Sequence, residues 1–192
     1  MIWRKIVVSG GLAAVALTLI ALAPAPSTAA DERGAEIARG EYLVAIGGCN
    51  DCHTPFRPGA RGLEPDTSRL LSGHPESVEL PPPPTPRDAQ WIWSGNATVT
   101  AFAGPWGMSI ARNLTPDAET GLGAWSEEQF VRAMRTGTHQ GVEGGRPILP
   151  PMPWQGLARM TDADLAAVWA YLQSIPAIRN AAPQSIPATA SR

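Results

Sequence analysis

Both cysteines of this 192-residue chain lie in one short motif, Cys49-Asn50-Asp51-Cys52-His53, which also contains one of the three histidines. On one turn of helix, two sulfurs at this spacing can reach the two vinyl groups of a haem and form thioethers. The histidine that follows can then place a ring nitrogen on the iron. The motif therefore predicts one covalently attached c-type haem, with His53 as an iron ligand.

Three other uses of these cysteines fit the sequence less well. A disulfide across two intervening residues closes a very small loop and restrains little of the unfolded chain. A thioredoxin-type redox pair needs a strand–helix setting, which the pattern around the motif lacks. A zinc site needs a second pair of ligands, and His74 and His139 are far apart in sequence. We expect both histidines to be solvated loop residues, because each lies near glycine or in a turn-like stretch.

The group that fills the sixth position of the iron decides between electron transfer and catalysis, and a methionine sulfur from a distant loop can fill it. Met152 is favoured because prolines on both sides fix its backbone and lower the entropic cost of presenting its side chain. The competing interpretation of Met152 is a gap-filling core residue. Met108 stays open as an alternative ligand, whereas Met134 and Met160 are better explained by helix packing.

Arginines and one amide are candidates for holding the carboxylates of the haem propionates, since charge-assisted hydrogen bonds suit that role. Arg112 and Asn113 are adjacent and precede a turn. Arg57, Arg135 and Arg146 are rivals for the same role, with ordinary solvent exposure as the alternative for all of them. The sequence does not choose among the five.

The N-terminus has the order of an export signal. Arg4 and Lys5 precede an uncharged and mostly apolar stretch over residues 6–23, and prolines and small residues follow. This order predicts a signal peptide over residues 1–30, cleaved after Ala30, and therefore a periplasmic protein. The apolar stretch of 18 residues is also near the shortest that crosses a bilayer, so an uncleaved anchor facing the periplasm is the alternative.

The charge of the remaining chain argues against a nucleic-acid partner. Without Arg4 and Lys5, 13 basic and 17 acidic residues remain, a formal charge of −4. Lys5 is the only lysine in the sequence, which also argues against a lysine-ringed docking face. Electrostatic steering of a protein partner would then depend on arginines or on the acidic surface.

Helical periodicity is confined to three segments, residues 31–47, 126–137 and 161–176. The second and third begin with capping-box patterns at Ser126 and Thr161. No strand–helix alternation is present. We therefore predict an all-α fold class: a small, loop-rich domain packed around a buried cofactor.

Residues 54–107 form a long loop-rich insertion that contains a run of four prolines. Alternation over residues 91–93 and 97–103, around a Ser94-Gly95-Asn96 turn, predicts a short β-hairpin within it. The expected organisation is a domain over residues 31–180 that includes this insertion. An Ala-, Pro- and Ser-rich flexible tail over residues 181–192 follows the domain.

These stretches together resemble the c-type cytochrome family, in particular the subunits or domains that serve bacterial periplasmic dehydrogenases. The matching segments are residues 40–43, 49–54, 111–117, 120–123, 125–126, 150–154 and 161–172. The resemblance implies the cytochrome c fold, in which N- and C-terminal helices cross beside the haem. It also implies His53 and Met152 as the axial ligands, and electron transfer from a dehydrogenase toward the respiratory chain.

We expect an electron carrier rather than an enzyme, because an iron with both axial positions filled leaves no place for a substrate. Its redox partners would be a dehydrogenase as donor and a cytochrome or an oxidase as acceptor. A peroxidase-like enzyme and a haem-based sensor, each with a labile sixth ligand, are the alternatives. The single motif argues against the first, since such enzymes resemble two-haem proteins, and the sequence shows no output domain for the second.

Overall fold

The computed structural model describes residues 28–82 and 92–188. In this part of the chain, the α-helices are α1 (Ala29–Ile46), α2 (Cys49–His53), α3 (Glu127–Thr136), α4 (Trp154–Leu157) and α5 (Asp162–Ser174). The strands are β1 (Phe56–Gly59), β2 (Gly62–Pro65), β3 (Ser94–Gly95), β4 (Ala101–Gly104), β5 (Gly107–Ile110) and β6 (Ile186–Pro187). None of the helices in the described residues is both long and apolar enough to cross a membrane.

Helix α1 begins two residues before the predicted start, because Thr28 caps it. The Thr28 hydroxyl accepts a hydrogen bond from Asp31 N, and the Asp31 carboxylate accepts one from Thr28 N. The helix thus spans the position of the expected cleavage after Ala30. Most of the proposed signal peptide lies outside the described residues, so this cleavage stays a prediction.

Helices α1 and α5 cross closely at Gly40. A Cβ atom at this position would lie 1.9 Å from the Ala167 carbonyl oxygen and 2.7 Å from Tyr171 Cβ. Only glycine permits this approach without a shift of one backbone against the other. The buried core forms beside the crossing from Leu43, Val44, Leu71, Leu122, Phe130, Leu165, Ala167, Val168 and Leu172.

Helix α3 packs against α5 and follows the predicted capping pattern. The Ser126 hydroxyl accepts from Gln129 N while the Gln129 side chain accepts from Ser126 N. Gly137 ends the helix at φ 68°, a conformation that favours glycine. The three long helices predicted from the sequence are therefore present, and each end lies within two residues of its predicted position.

The prediction of an all-α fold is wrong in part, because the helices are accompanied by two small antiparallel sheets. Strands β1 and β2 form one sheet, and the other has the order β3-β4-β5-β6. The predicted hairpin is also displaced: Ser94 and Gly95 form strand β3 and pair with Ala103 and Phe102. Its turn comes later, because the Asn96 side chain accepts hydrogen bonds from the backbone of residues 100–101.

The prediction of a flexible tail is wrong for residues 181–188. Strand β6 pairs with β5, and the Ile110 amide donates to the Ser185 hydroxyl at 2.9 Å. Ala182 is buried. This segment is ordered by contacts with residues about 75 positions away, which no local composition reveals. Residues 189–192 lie outside the described part of the chain.

Candidate functional site

The two cysteines lie on the short helix α2, which starts directly after α1. Gly48, at φ 68°, makes the sharp change of direction between the two helices. Both thiols are free and half-buried. Burial raises the pKa of the Cys49 thiol to about 11 and also raises the pKa of Cys52. Both are therefore protonated at neutral pH, unlike the low-pKa thiolates of redox-active cysteine pairs.

His53, at the end of α2, is held in one orientation from outside its own helix. Its side chain is 8% exposed, and its Nδ1 atom lies 2.7 Å from the carbonyl oxygen of Arg112. Because a carbonyl can only accept, Nδ1 carries the proton, which leaves Nε2 as the nitrogen able to bind a metal. Burial lowers the pKa of His53, so the ring is in the neutral form that binds metals.

A cavity of about 580 Å³ opens beside this helix, within the range of roughly 300–1,000 Å³ that is usual for cofactor pockets. Cys49, Cys52, His53 and Met152 all line it. The rest of the wall is largely apolar and includes Phe102, Ile110, Leu122, Phe130, Leu149 and Leu157. Two thiols, a neutral imidazole and a thioether around one apolar cavity fit a covalently attached haem.

Met152 reaches the cavity from a proline-rich loop between α3 and α4. Its amide donates to the Leu149 carbonyl at 3.3 Å, and its carbonyl accepts from Trp154 N at 2.9 Å. The loop is held from the sheet by Ser109, whose hydroxyl lies 2.5 Å from the Pro150 carbonyl oxygen. The segment is thus fixed mainly by bonds within itself and by one serine of β5.

The other methionines lie in different settings. Met134, on α3, also lines the cavity and packs against the hydrophobic core. Met108 lies in β5, where it pairs with Ile186 of β6. Met160 packs against the core just before α5. Of these three methionines, Met134 is therefore the one that lines the cavity. Its contacts with the core also agree with the packing role expected for it.

The two histidines outside the motif differ from expectation. The prediction of a solvated loop is wrong for His74, which is fully buried at 0% exposure. Its Nε2–H donates to the Val78 carbonyl at 2.9 Å, and its Nδ1 accepts from the Thr100 hydroxyl at 2.7 Å. A histidine with both nitrogens satisfied is a structural residue. His139 is half-buried, lines the cavity and packs edge-on against Trp125 at 5.1 Å.

Three of the five candidates for holding propionates line the cavity: Arg112, Asn113 and Arg146. The Asn113 amide already donates to Thr120 and to the carbonyl of Ile178. Neither Arg112 nor Arg146 forms an ion pair with a carboxylate of the residues that the structure describes. The charge of Arg146 lies close enough to help burial lower the pKa of Arg112.

The two remaining candidates are engaged elsewhere. Arg57 lies 3.3 Å from a carboxylate oxygen of Glu64 and 3.8 Å from one of Asp66, beside the β1–β2 hairpin. Arg135 pairs with Asp162 at 2.6 Å and donates to the Met160 carbonyl, so it connects α3 to the start of α5. These ion pairs and hydrogen bonds give both arginines a structural role that does not involve a propionate. Sequence spacing did not reveal this, because each partner of Arg135 comes from a distant segment.

Comparison with known proteins agrees with this site. The family model described as cytochrome c matches residues 37–176. The chain is 41% identical over 88 residues to one of the subunits of nicotinate dehydrogenase from Pseudomonas putida, a match covering 46% of this chain and 7% of that protein. It is 29% identical over 161 residues to the cytochrome c subunit of a quinone-type alcohol dehydrogenase of Gluconobacter oxydans, covering 83% and 25%.

A third relative is the cytochrome c subunit of gluconate 2-dehydrogenase from Pantoea cypripedii, 30% identical over 135 residues, or 70% of this chain and 22% of that protein. The chain thus spans a quarter or less of the length of these three relatives. The family match itself covers well over half of the chain and includes every residue of the cavity wall except Ser185. The protein is therefore an electron-transfer haem protein of the cytochrome c family.

Proposed function

We propose that this chain carries single electrons on one haem bound through Cys49 and Cys52, with His53 and Met152 as the axial ligands. The observation that carries the proposal is that these four side chains line the same apolar cavity. When bound, the haem supplies an iron that alternates between the ferric and ferrous states. The chain itself would supply the groups that attach this haem, bind its iron and shield it from water.

The residues around the cavity have separable roles. Cys49 and Cys52 fix the cofactor covalently, and His53 offers Nε2 because the Arg112 carbonyl holds the proton of Nδ1. Met152 would offer its thioether sulfur as the second protein ligand of the iron and so would leave no open site for a substrate. The apolar walls exclude water, which keeps the change in solvation on electron transfer small.

Arg146 and Arg112 are the proposed partners of the propionate carboxylates. Arg112 would use its other guanidinium nitrogens, because its Nη1 donates to the carbonyls of Ala182 and Pro183. Both arginines line the cavity, and no carboxylate of the described residues neutralises them. Two buried or partly buried cations close together are unfavourable unless anions accompany them. His139 lies beside them, and burial together with the charges of Arg146 and Arg112 lowers its pKa. It is therefore neutral at pH 7 and adds a polar group rather than a third charge.

The proposed partner is a dehydrogenase, from which the chain accepts electrons and passes them to a cytochrome or an oxidase of the respiratory chain. The support comes from the relatives, which are subunits of nicotinate, alcohol and gluconate dehydrogenases. The proposed location is the periplasm. The signal peptide predicted from the sequence supports it, and so does the proposed covalent haem, because such attachment takes place outside the bacterial cytoplasm. An uncleaved N-terminal anchor is the alternative to a free periplasmic protein.

The experiment that tests the proposal is maturation of the full chain in a host equipped for c-type haem attachment. The expected product keeps its pigment in acid acetone and on a denaturing gel, and contains one haem per chain. The double variant Cys49→Ala/Cys52→Ala is expected to lose the pigment under both conditions. A colourless wild-type protein, or one whose pigment is extracted by acid acetone, contradicts the proposal.

The same preparation distinguishes a carrier from an enzyme or a sensor. Oxidised protein with methionine ligation shows a weak near-infrared absorption band and binds cyanide slowly. A wild-type protein that lacks the band and binds peroxide or cyanide rapidly has an open sixth position, and the enzyme interpretation then replaces the carrier.

A further inference from the structure

Residues 177–188, here called the C-terminal strap, follow the last residue of the family match. The strap includes β6 and ends just after it at Ala188, whose amide donates to the Trp106 carbonyl at 2.8 Å. Along the way it contacts two loops, residues 69–76 and 110–120. Both of these loops also contact His53.

The first contact is made by Asn180, which is fully buried at 0% exposure. Its side-chain amide and its backbone N–H take part in five hydrogen bonds, with Arg69, Ser72, His74, Glu76 and Thr120. The loop that it holds includes Gly73, whose amide donates to the His53 carbonyl at 2.7 Å. The strap thus fixes a loop that supports the end of α2.

The second contact runs through Arg112 and reaches the ring of His53. The Arg112 guanidinium donates to the carbonyls of Ala182 and Pro183, the latter at 2.9 Å. The backbone carbonyl of the same Arg112 lies 2.7 Å from His53 Nδ1. One residue therefore connects the strap to the histidine ring by hydrogen bonds at its two ends.

The carbonyl that accepts from a metal-binding histidine sets the orientation of the ring and its strength as an electron donor. A stronger donor stabilises the ferric state relative to the ferrous state. If the Arg112 carbonyl moves away from Nδ1, the histidine becomes a weaker electron donor, and the ferrous state becomes more stable relative to the ferric state. Any segment that fixes Arg112 thereby acts on the redox equilibrium without touching the iron.

We propose that the C-terminal strap is a positioning segment for His53 and that Arg112 is the positioning residue through which it acts. The inference rests on the proposed function, because it takes His53 as an axial ligand. It adds that residues beyond the family match set the redox equilibrium of this chain.

The test compares Arg112→Lys with Arg179→Lys in the full haem-loaded protein. Lysine keeps the positive charge near the cavity, but its nitrogen lies one bond short of the Nη1 position from which Arg112 donates to both carbonyls. Arg179 lies in the same strap, where it is exposed and pairs with Glu76 and Glu119. The two readouts are the redox equilibrium, measured by optical titration against mediators, and the solvent exchange of the His53 Nδ1 proton, measured by NMR.

We expect Arg112→Lys to raise the ferrous-to-ferric ratio at a fixed potential about tenfold, or about 59 mV for a one-electron couple. The Nδ1 proton should exchange faster in this variant, and both quantities should stay at their wild-type values in Arg179→Lys. Unchanged values for both quantities in Arg112→Lys, with the haem attached, overturn the inference and leave the proposed function intact. A wild-type protein without covalent haem overturns the proposed function itself.

A second variant covers the case in which Arg112→Lys does not mature. Ser185→Ala removes the strap hydroxyl that accepts from the Ile110 amide at 2.9 Å, two residues before Arg112, and alters no charge. We expect a smaller shift of the ratio in the same direction, about two- to threefold, from the loss of one hydrogen bond. No shift in the ratio and no faster proton exchange in this variant overturn the inference.

Discussion

The two walls of the cavity are built in different ways. The wall that carries His53 is fixed by segments from across the sequence: the Arg112 carbonyl holds its ring and the Gly73 amide holds its backbone. The wall that carries Met152 is a proline-rich loop stabilised chiefly by its own turns, with Ser109 as its link to the sheet. The first wall depends on tertiary structure, and the second depends on local backbone stiffness.

This difference has a consequence for ligand exchange. Displacing His53 requires breaking contacts from several segments at once, whereas displacing Met152 requires moving one short loop. We therefore expect the histidine side to be required for forming the haem-loaded protein. The methionine side should be the one where external ligands compete.

The largest expected effect comes from His53→Ala. Without His53, the proposed iron ligand, haem attachment should become less efficient by at least the roughly tenfold that is typical for loss of a group behind a metal ligand. The yield of covalent haem per chain, measured from the haem absorbance of purified protein, should fall by about tenfold or more. Met152→Ala should mature at close to the wild-type yield. An equal loss of covalent haem yield in His53→Ala and Met152→Ala would contradict the proposed difference between the two walls.

If Met152 is the iron ligand proposed above, Met152→Ala should open the sixth position without removing the haem. We expect the near-infrared band to disappear and cyanide to bind at least about tenfold faster, because the competing thioether is gone. Met108→Ala is the matched control, since Met108 lies in β5 and pairs with Ile186 instead of lining the cavity. Loss of the band in Met108→Ala, with the band retained in Met152→Ala, would show that Met108 rather than Met152 binds the iron.

A smaller effect is expected from Ser109→Ala, which loosens the methionine wall and leaves Met152, the proposed ligand, in place. The single hydroxyl proton of Ser109 can serve the Pro150 carbonyl at 2.5 Å or the Phe102 carbonyl at 3.2 Å, and the shorter contact is to the loop. Loss of the bond should lower the free energy of unfolding by about 0.5–1.5 kcal/mol and speed cyanide binding several-fold.

Ser174→Ala serves as the control for this variant. It removes a serine-to-carbonyl bond of the same kind, to Tyr171 at 2.8 Å, at the end of α5. It should lower stability without changing cyanide binding. The same acceleration of cyanide binding in both serine variants would show that general loosening, rather than the loop, controls access.

The smallest expected effect concerns pH and His139, which adjoins the methionine wall through the bond from its amide to the Arg146 carbonyl at 2.9 Å. Burial first, then Arg146 and Arg112, lower the pKa of His139 below its ordinary value of 6.5. The unfolded chain therefore takes up a proton at a higher pH than the folded chain does. Its contribution to stability is present above pH 6.5 and is lost as the pH falls through the folded pKa.

Denaturant unfolding of the haem-loaded protein at about pH 7.5 and about pH 5.5 measures this contribution. We expect His139→Gln to lose less stability than the wild type between these two values. Parallel losses in the two proteins would show that His139 does not titrate on unfolding in this range.

The elements that could be predicted are those whose causes are local. The capping residues Ser126 and Thr161 each bond to a residue three positions later, so a short window of sequence contains the whole signal. Strand β5 and the strap gave no such signal, because the Ile110 amide finds its partner at Ser185. A composition of small residues and prolines describes a loose tail and an ordered strap equally well.

The same distinction holds at the site. The motif at Cys49, Cys52 and His53 is contiguous, and the structure places all three on one cavity wall. The prediction for His74 was wrong because Thr100, which satisfies one of its ring nitrogens, lies 26 residues away. The double engagement of Arg112, by its carbonyl and by its guanidinium, likewise depends on residues that only the fold brings together.

The position of the strap in the chain gives the molecule an order of assembly. The strap bonds to a segment that lies more than a hundred residues earlier in the chain: Asn180 and Ser72, which share a hydrogen bond, are 108 positions apart. Closing so long a loop costs entropy that is recovered only once the intervening elements have formed. The strap can therefore complete the histidine side only after the segments between it and residues 69–76 have folded.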